Sequence, residues 1–364
     1  MIKILHGADF HLDSPFDALS AEKALTRRKE QRKRLTELAD LANKEEVDAV
    51  LLAGDLLDGD KSYYETGEAL LDMFGQISAP IFIAPGNHDP YHKRSAWGAI
   101  RLPEHVHIFS TSVPQAIELR GKNTTVWGMG FTSTRSFGML NGFSVSQPNR
   151  INLMVLHAEI APEGFYNPIT KNQIAQSGLD YLALGHVHQY SGIQKEGNTH
   201  YAYPGVLEGR GFDETGPCGV ILAEVSKAGV KERFCPLGGR QYHKINLDLS
   251  AQEDAYAAIE EALPKGLEQD IVRLCLQGEF DNSLNLELLQ ERLESRFFHL
   301  ELRNETTPRQ DIWAGFEEDS LRGLFLRKMR LLYEQAGSPA EKERAKLALN
   351  YGLRALDQKE EEGS

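Results

Sequence analysis

The chain has 364 residues, of which 41% are hydrophobic and 26% charged, and a formal net charge of −13. This is the composition of a globular protein with one large core and one or two smaller units, and no apolar run approaches the roughly 20 residues that cross a bilayer, which excludes a helical membrane span. The acidity weighs against broad nucleic-acid binding, but it is uneven, since residues 241–364 hold 25 acidic against 16 basic side chains.

From the N-terminus, Met1-Ile2-Lys3-Ile4-Leu5-His6 enters a strand at once and lacks the apolar core of a secretory signal, so the cytoplasm is the expected compartment. The apolar stretches Ile2 to Leu5, Ala49 to Ala53, Pro80 to Ala84, Ile151 to Leu156 and Tyr181 to Leu184 read as strands buried on both faces. Helical stretches such as Ala24 to Asn43 separate them, which predicts parallel βαβ connections in a doubly wound α/β layer structure. The segment Lys23 to Arg34 carries seven basic residues (Lys23, Arg27, Arg28, Lys29, Arg32, Lys33 and Arg34) against one acid, Glu30. As a helix face it either contacts DNA phosphates, with Arg27, Arg28 and Lys29 foremost, or is simply solvated.

Beyond about Tyr190 the pattern alternates and is punctuated by turns. Glu196-Gly197-Asn198 joins Gly192–Lys195 to Thr199–Tyr203, and Lys227-Ala228-Gly229 joins Gly219–Val225 to Val230–Cys235, as two antiparallel hairpins. Leu237-Gly238-Gly239 marks a boundary, so residues 1–240 are expected to form the main domain. Residues 241–304 then predict a small α/β unit: strands at His243–Leu249, Asp270–Leu276 and Phe298–Arg303, a helix opened by the capping box Ser250-Ala251-Gln252-Glu253 and ending near Leu263, and a helix at about Ser283–Arg296. Residues 305–364 predict a helical hairpin, with apolar stripes Leu321, Phe325, Met329, Leu332 and Ala345, Leu349, Leu353, Leu356. Gly337 ends its first helix, Ser338, Pro339 and Glu341 open the second, and the charged residues Gln358–Ser364 are expected to be disordered. Cys218, Cys235 and Cys275 are too few and too widely spaced for a disulfide framework or thiolate site and read as buried apolar residues.

Each of the five strands runs straight into metal-ligand chemistry: Asp9-Phe10-His11, Gly54-Asp55, Gly86-Asn87-His88-Asp89, His157 and Gly185-His186-Val187-His188. If the strands are parallel, all five loops meet at one sheet edge. Carboxylates with imidazoles suit Mn²⁺, Fe²⁺ or Zn²⁺, and seven such residues exceed what one ion needs, so two ions sharing the Asp55 carboxylate are expected. Magnitude favours this reading. Catalysis removes roughly 8 to 23 kcal/mol from a barrier, whereas one positioned acid or base supplies only roughly 3 to 5 kcal/mol. A dinuclear centre can activate a water and neutralise phosphate oxygens together, with His88 contacting the phosphate or protonating the leaving oxygen and Asp89 or Asp58 orienting it. Any one motif could be a turn or a core histidine, but five in order after buried strands do not read as structural coincidence. His105-Val106-His107 has the spacing of His186-Val187-His188 without a preceding glycine loop, and is expected to place both rings on one strand face and bind nothing.

These motifs resemble those of the calcineurin-like metallophosphoesterase superfamily, matching every position. The stretches from Ala8 to Phe16 and from Gly54 to Asp58, with Tyr203-Pro204-Gly205 and Glu208-Gly209-Arg210, resemble in particular the DNA double-strand-break repair exonucleases of the SbcD and YhaO type. Gly205-Val206-Leu207 departs from the Gly-Ser-Leu usual there. The resemblance implies a four-layer α-β-β-α sandwich with a small α/β capping domain and a C-terminal helical hairpin. It implies one metal on Asp9, His11, Asp55 and His188, a second on Asp55, Asn87, His157 and His186, and His88 as the catalytic histidine. It further implies Mn²⁺-dependent cleavage of DNA by a homodimer bound to an SbcC-like coiled-coil ATPase through the C-terminal helices. A small-molecule phosphodiesterase or phosphatase of the same superfamily and a non-catalytic scaffold are the alternatives. The acidic surface favours the first, but such enzymes need no C-terminal additions; loss of ligands would favour the second, and none is missing.

Overall fold

The computed structural model of the protein describes residues 1–361 apart from 238, 253, 281–283 and 308–312. Its centre is two six-stranded sheets packed face to face. The first runs, in spatial order, Gly229–Pro236, Gly219–Ser226, Ile2–Gly7, Ala49–Leu52, Ile81–Ile83 and Val106–Ile108. Its last four strands are parallel, and the Gly219–Ser226 and Gly229–Pro236 hairpin closes the other edge antiparallel, as its turn residues predicted. The second sheet runs Gln194–Glu196, Thr199–Ala202, Tyr181–Gly185, Ile151–His157, Thr124–Met129 and Gln115–Leu119, with a parallel centre flanked by antiparallel edge strands.

The period of two sorts the side chains into layers. Ile2, Ile4, Ala49, Leu51 and Phe82 face Val126, Leu153, Val155, Tyr181 and Ala183 between the sheets. From the same strands Leu5, Val50, Leu52, Ile81 and Ile83 face the opposite way, onto Leu35, Leu38, Ala42, Leu70 and Phe74 of the helices Ala21–Lys44 and Tyr64–Gln76. Ser20 caps the first of these helices by accepting from the Lys23 amide. On the outer face of the second sheet, Met154, Leu156, Leu182 and Leu184 pack on Ile174 of the short helix Lys171–Gln176 and on loop residues Phe131 and Leu140. The α-β-β-α order is therefore present, with a thin fourth layer. The three cysteines are free, Cys235 and Cys275 buried and Cys218 half-buried.

By internal contacts the chain divides into two compact units: Met1–Lys244 with Lys265–Arg273 and Leu293–Glu301, and Ile245–Pro264 with Leu274–Arg292 and Leu302–Ser364. Strands Tyr242–Asp248, Ile271–Glu279 and His299–Thr307 form a three-stranded sheet with Ile271–Glu279 in the centre. The expected capping box at Ser250 is not the start of a helix: the helix is Ala255–Ala262, capped by Asp254 at the Ala257 amide, while Ser250 Oγ accepts from the Glu279 amide. Glu253 and Ser283, at the start of the two helices predicted here, and Gly238 of the predicted boundary lie outside the described residues.

The C-terminal helices span Leu321–Gln335 and Pro339–Glu361. Ser338 Oγ accepts from the Glu341 amide, and the Glu341 carboxylate reaches back to the Gly337 amide. The buried contacts are Leu326, Met329 and Leu349, while Leu321 and Leu332 of the predicted stripe are more than half exposed. Residues 358–361, expected as disordered tail, continue the second helix, since the Gln, Lys and Glu found there are all helix formers. Residues 362–364 of that predicted tail lie outside the described residues.

Candidate metal centre

The parallel strands of both sheets end at a common edge, and the loops beyond them converge. Asp9 and His11 follow Ile2–Gly7, Asp55 follows Ala49–Leu52, Asn87 and His88 follow Ile81–Ile83, His157 ends its own strand, and His186 and His188 follow Tyr181–Gly185. The backbone here is bent into an unfavourable shape. Asp9, His11, Asp55 and His186 have φ of 53°, 42°, 51° and 109°, a left-handed conformation that costs an L-residue on the order of 1 to 3 kcal/mol. Surrounding hydrogen bonds hold it: Asp9 and His11 amides donate to the Gly54 and Asp55 carbonyls at 3.0 and 2.9 Å. Gly54 adopts φ 86°, and a side chain there would stand 2.6 Å from His157 Nδ1, so only glycine fits.

Donor atoms face one another across this edge. Asp55 Oδ2 lies 3.3 Å from His157 Nε2 and 3.8 Å from His11 Nε2. His157 Nε2 is 3.0 Å from Asn87 Oδ1, and its Nδ1 donates to the Ala53 carbonyl at 2.8 Å. His11 Nε2 and His188 Nε2 stand 3.3 Å apart. The Nδ1 atoms of these two rings face carboxylates, Asp58 Oδ1 at 2.9 Å and Glu214 Oε1 at 2.8 Å. Each Nδ1–H is thereby spent on a carboxylate, and the two Nε2 lone pairs point at the same space. Asp9, His11 and His188 form one set of mutually close donors, and Asp9, Asp55 and His157 a second. His186 sits beside these sets, its ring 5.3 Å from that of His157 and its amide donating to both Asp9 oxygens.

Electrostatics fit a cation. Burial and the Asp55 charge push the Asp9 carboxyl up to about 6. Burial alone would lower His157, but Asp55 and Asp9 outweigh it and raise it to about 9. A proton is thus held where three donor atoms converge, the position a metal would take. Burial drives His11 and His186 down to about 4, leaving neutral imidazoles able to ligate. The donor set therefore suits a pair of divalent ions.

Several side chains have roles other than those expected. Asp89 does not orient His88: it is buried, and both its oxygens are taken up by the Gly86, Asp55, Leu56 and Leu57 amides at 2.7 to 3.2 Å, bracing two ligand loops. Asp58 is 2.9 Å from His11 Nδ1 and 3.8 Å from His88 Nδ1. His88 itself is exposed, and its amide donates to Asp55 Oδ1 at 2.8 Å. Arg27 is no DNA contact. It is fully buried, paired with Glu208 at 2.7 Å and Glu30 at 2.6 Å, because position 27 lies on the inner face of its helix. Arg28 is half-buried beside Tyr63 and Lys29 is exposed. His105 meets the Phe74 carbonyl and His107 stacks on Phe82, so the two rings have separate surroundings away from the ligands.

Two residues of the site carry no strand signal and were not singled out from the sequence for this role. Glu214 holds His188. Burial would raise its carboxyl, but hydrogen bonds from His188 and Arg210 lower it to about 2. Arg210 links Glu214, at 2.6 Å, to Asp58, at 3.3 Å, and so ties the carboxylates behind two ligand histidines into one network.

Comparison with known proteins agrees with this arrangement. Residues 2–190 match the calcineurin-like phosphoesterase family. The chain is 30% identical over 296 residues to the metallophosphoesterase YhaO of Bacillus subtilis, covering 76% of this chain and 72% of YhaO. It is 30% identical to the SbcD component of the SbcCD nuclease of Rhodobacter capsulatus over 30% of this chain and 27% of that protein. It is 24% identical to the DNA double-strand break repair protein Mre11 of Aeropyrum pernix over 73% of this chain and 68% of that protein. A family segment exceeding half of the sequence, shared with a relative that the chain covers over most of its length, places the chain in the calcineurin-like phosphoesterase family, a family of hydrolases built on a dinuclear metal centre.

Proposed function

We propose that the chain is a Mn²⁺-dependent DNA phosphodiesterase, an exonuclease that also nicks single strands, acting in double-strand-break repair. The observation that carries this reading is the extent of the likeness to Mre11. It covers 73% of this chain, more than residues 2–190 can supply, so it reaches beyond the phosphoesterase segment. Asp9, His11, Asp55 and His188 would hold one ion, and Asp55, Asn87, His157 and His186 the other. When bound, the ions supply Lewis acidity toward the phosphate and a low-pKa water. Asp58 and Glu214 keep His11 and His188 in the ligating tautomer. His88, exposed, with its amide on Asp55 and its ring against that of His11 and 3.8 Å from Asp58, would meet the scissile phosphate or give a proton to the leaving oxygen. Asp58 orients it.

In this reading residues 1–240 are the nuclease domain, 241–304 a capping domain and 305–364 a docking region for an SbcC-like coiled-coil ATPase, and the chain works as a homodimer. No helix among the described residues is long and apolar enough to cross a membrane. The net charge of −13 favours a small-molecule phosphodiesterase instead. Assaying the purified protein with Mn²⁺ on linear duplex DNA beside nucleotides and phosphomonoesters separates the two. Degradation of the DNA is expected, and turnover confined to the small substrates would overturn the proposal.

A further inference from the structure

Two loops beside the metal centre, one before and one after the strand Ile151–His157, expose three aromatic rings between them yet are firmly anchored. Phe137, Phe165 and Tyr166 are 62%, 57% and 39% exposed. Phe137 and Phe165 meet edge to face at 6.3 Å, the Arg135 guanidinium lies 5.0 Å over the Phe165 ring, and the Tyr166 ring lies 5.2 Å from that of His186. Asn167, fully buried at φ 54°, fixes this arrangement. Its amide donates to the Ser136 carbonyl at 2.8 Å, its Oδ1 accepts from the Met139 amide at 3.0 Å, and its Nδ2 donates to the carbonyl of His157 at 3.2 Å. Both loops are thus tied through Asn167 to the backbone of one expected ligand while their rings stay in water. Exposed apolar rings clustered beside a site mark a binding surface.

We infer that Phe137, Phe165 and Tyr166, with Arg135, form a stacking platform for unpaired nucleobases of the DNA strand entering the metal centre. This rests on the DNA reading above and adds the part of the substrate that is held and the place where it sits. Flat apolar faces accept any base, an adjacent guanidinium stacks and meets backbone phosphate, and a rim position next to His186 places a stacked base near the expected scissile bond. A firmly held loop loses little freedom on binding, which favours a preformed platform over an adaptive one.

The test uses the full chain and a fluorescent single-stranded oligonucleotide, intact or with one abasic site scanned along it, and reads anisotropy. Phe137→Ala and Phe165→Ala are each expected to weaken binding about tenfold, with Phe165→Trp retaining affinity. An abasic site at the stacked position is expected to weaken wild-type binding to a similar degree and to add nothing in the Phe165→Ala variant. Hydrolysis of bis-p-nitrophenyl phosphate is expected to stay unchanged in both alanine variants. Wild-type affinity in those variants, or an abasic penalty as large in them as in the wild type, would overturn the platform. So would a loss of self-association on sedimentation without loss of oligonucleotide binding, which would assign the rings to a second copy of the chain. If the wild type hydrolyses the small diester but no DNA, the DNA reading itself falls; if it cleaves DNA and the variants match it, only the platform does.

Discussion

At the scale of single residues, the site shows which chemistry announces itself in a sequence. The seven expected ligands stand out because each lies at or just beyond the end of a buried apolar strand, and the fold brings these distant positions to one edge. Glu214 does not, and Arg210 stands out only as part of a resembling stretch with no role attached, because both lie in an irregular segment that no buried apolar strand leads into. Their importance comes from the partner histidine and carboxylates that only the fold supplies. Glu214→Gln is expected to weaken loading of the site by roughly 10- to 100-fold, as removal of a partner behind a metal-bound histidine does. Mn²⁺ titration by calorimetry checks this, and unchanged affinity would exclude the role. Protons should compete with the metal at Asp9, whose carboxyl sits near 6 in the metal-free protein through burial and the Asp55 charge. The sign follows from the protonated form being unable to ligate. Lowering pH from 7 to 5 should cut affinity about tenfold through this group alone, so the thermal shift given by Mn²⁺ should shrink as pH falls.

At the scale of elements, the helix Ala21–Lys44 shows where charge counting misleads. Its seven basic residues read as a possible DNA-facing stripe, but Arg27 and Arg34 point inward, onto Glu208, which is 2% exposed. Periodicity predicts the helix, while the face that each arginine occupies depends on what lies beneath. Arg27→Ala would leave Glu208 buried without that partner and is expected to lower unfolding free energy by about 3 to 5 kcal/mol. Lys29→Ala, at an exposed position, should change it by less than about 0.5 kcal/mol. Chemical denaturation that found both changes equally mild would reject the buried-pair account. The helical hairpin was legible from its caps, though its buried contact centres on Leu326 in place of Leu321 and Leu332. Deleting residues 305–364 should preserve hydrolysis of a simple diester and abolish capture of a co-expressed coiled-coil ATPase. Unchanged capture would end the docking proposal.

At the scale of the whole molecule, the layered architecture followed from apolar runs that leave no polar face, since such strands need cover on both sides. The thin outer layer over the second sheet was not legible, because one short helix and loop residues such as Phe131 and Leu140 do the covering there without any helical period. The ligand edge emerges from that layering: two sheets whose parallel strands end together bring Asp55 between His11 and His157. The most direct test of a dinuclear nuclease with His88 at its centre is a comparison of wild type and His88→Ala for Mn²⁺-dependent degradation of linear duplex DNA, with bound metal counted in both. The variant is expected to lose cleavage while retaining two metal ions per chain. Cleavage at the wild-type rate by the variant, or a wild-type protein that binds no pair of divalent ions, would contradict it.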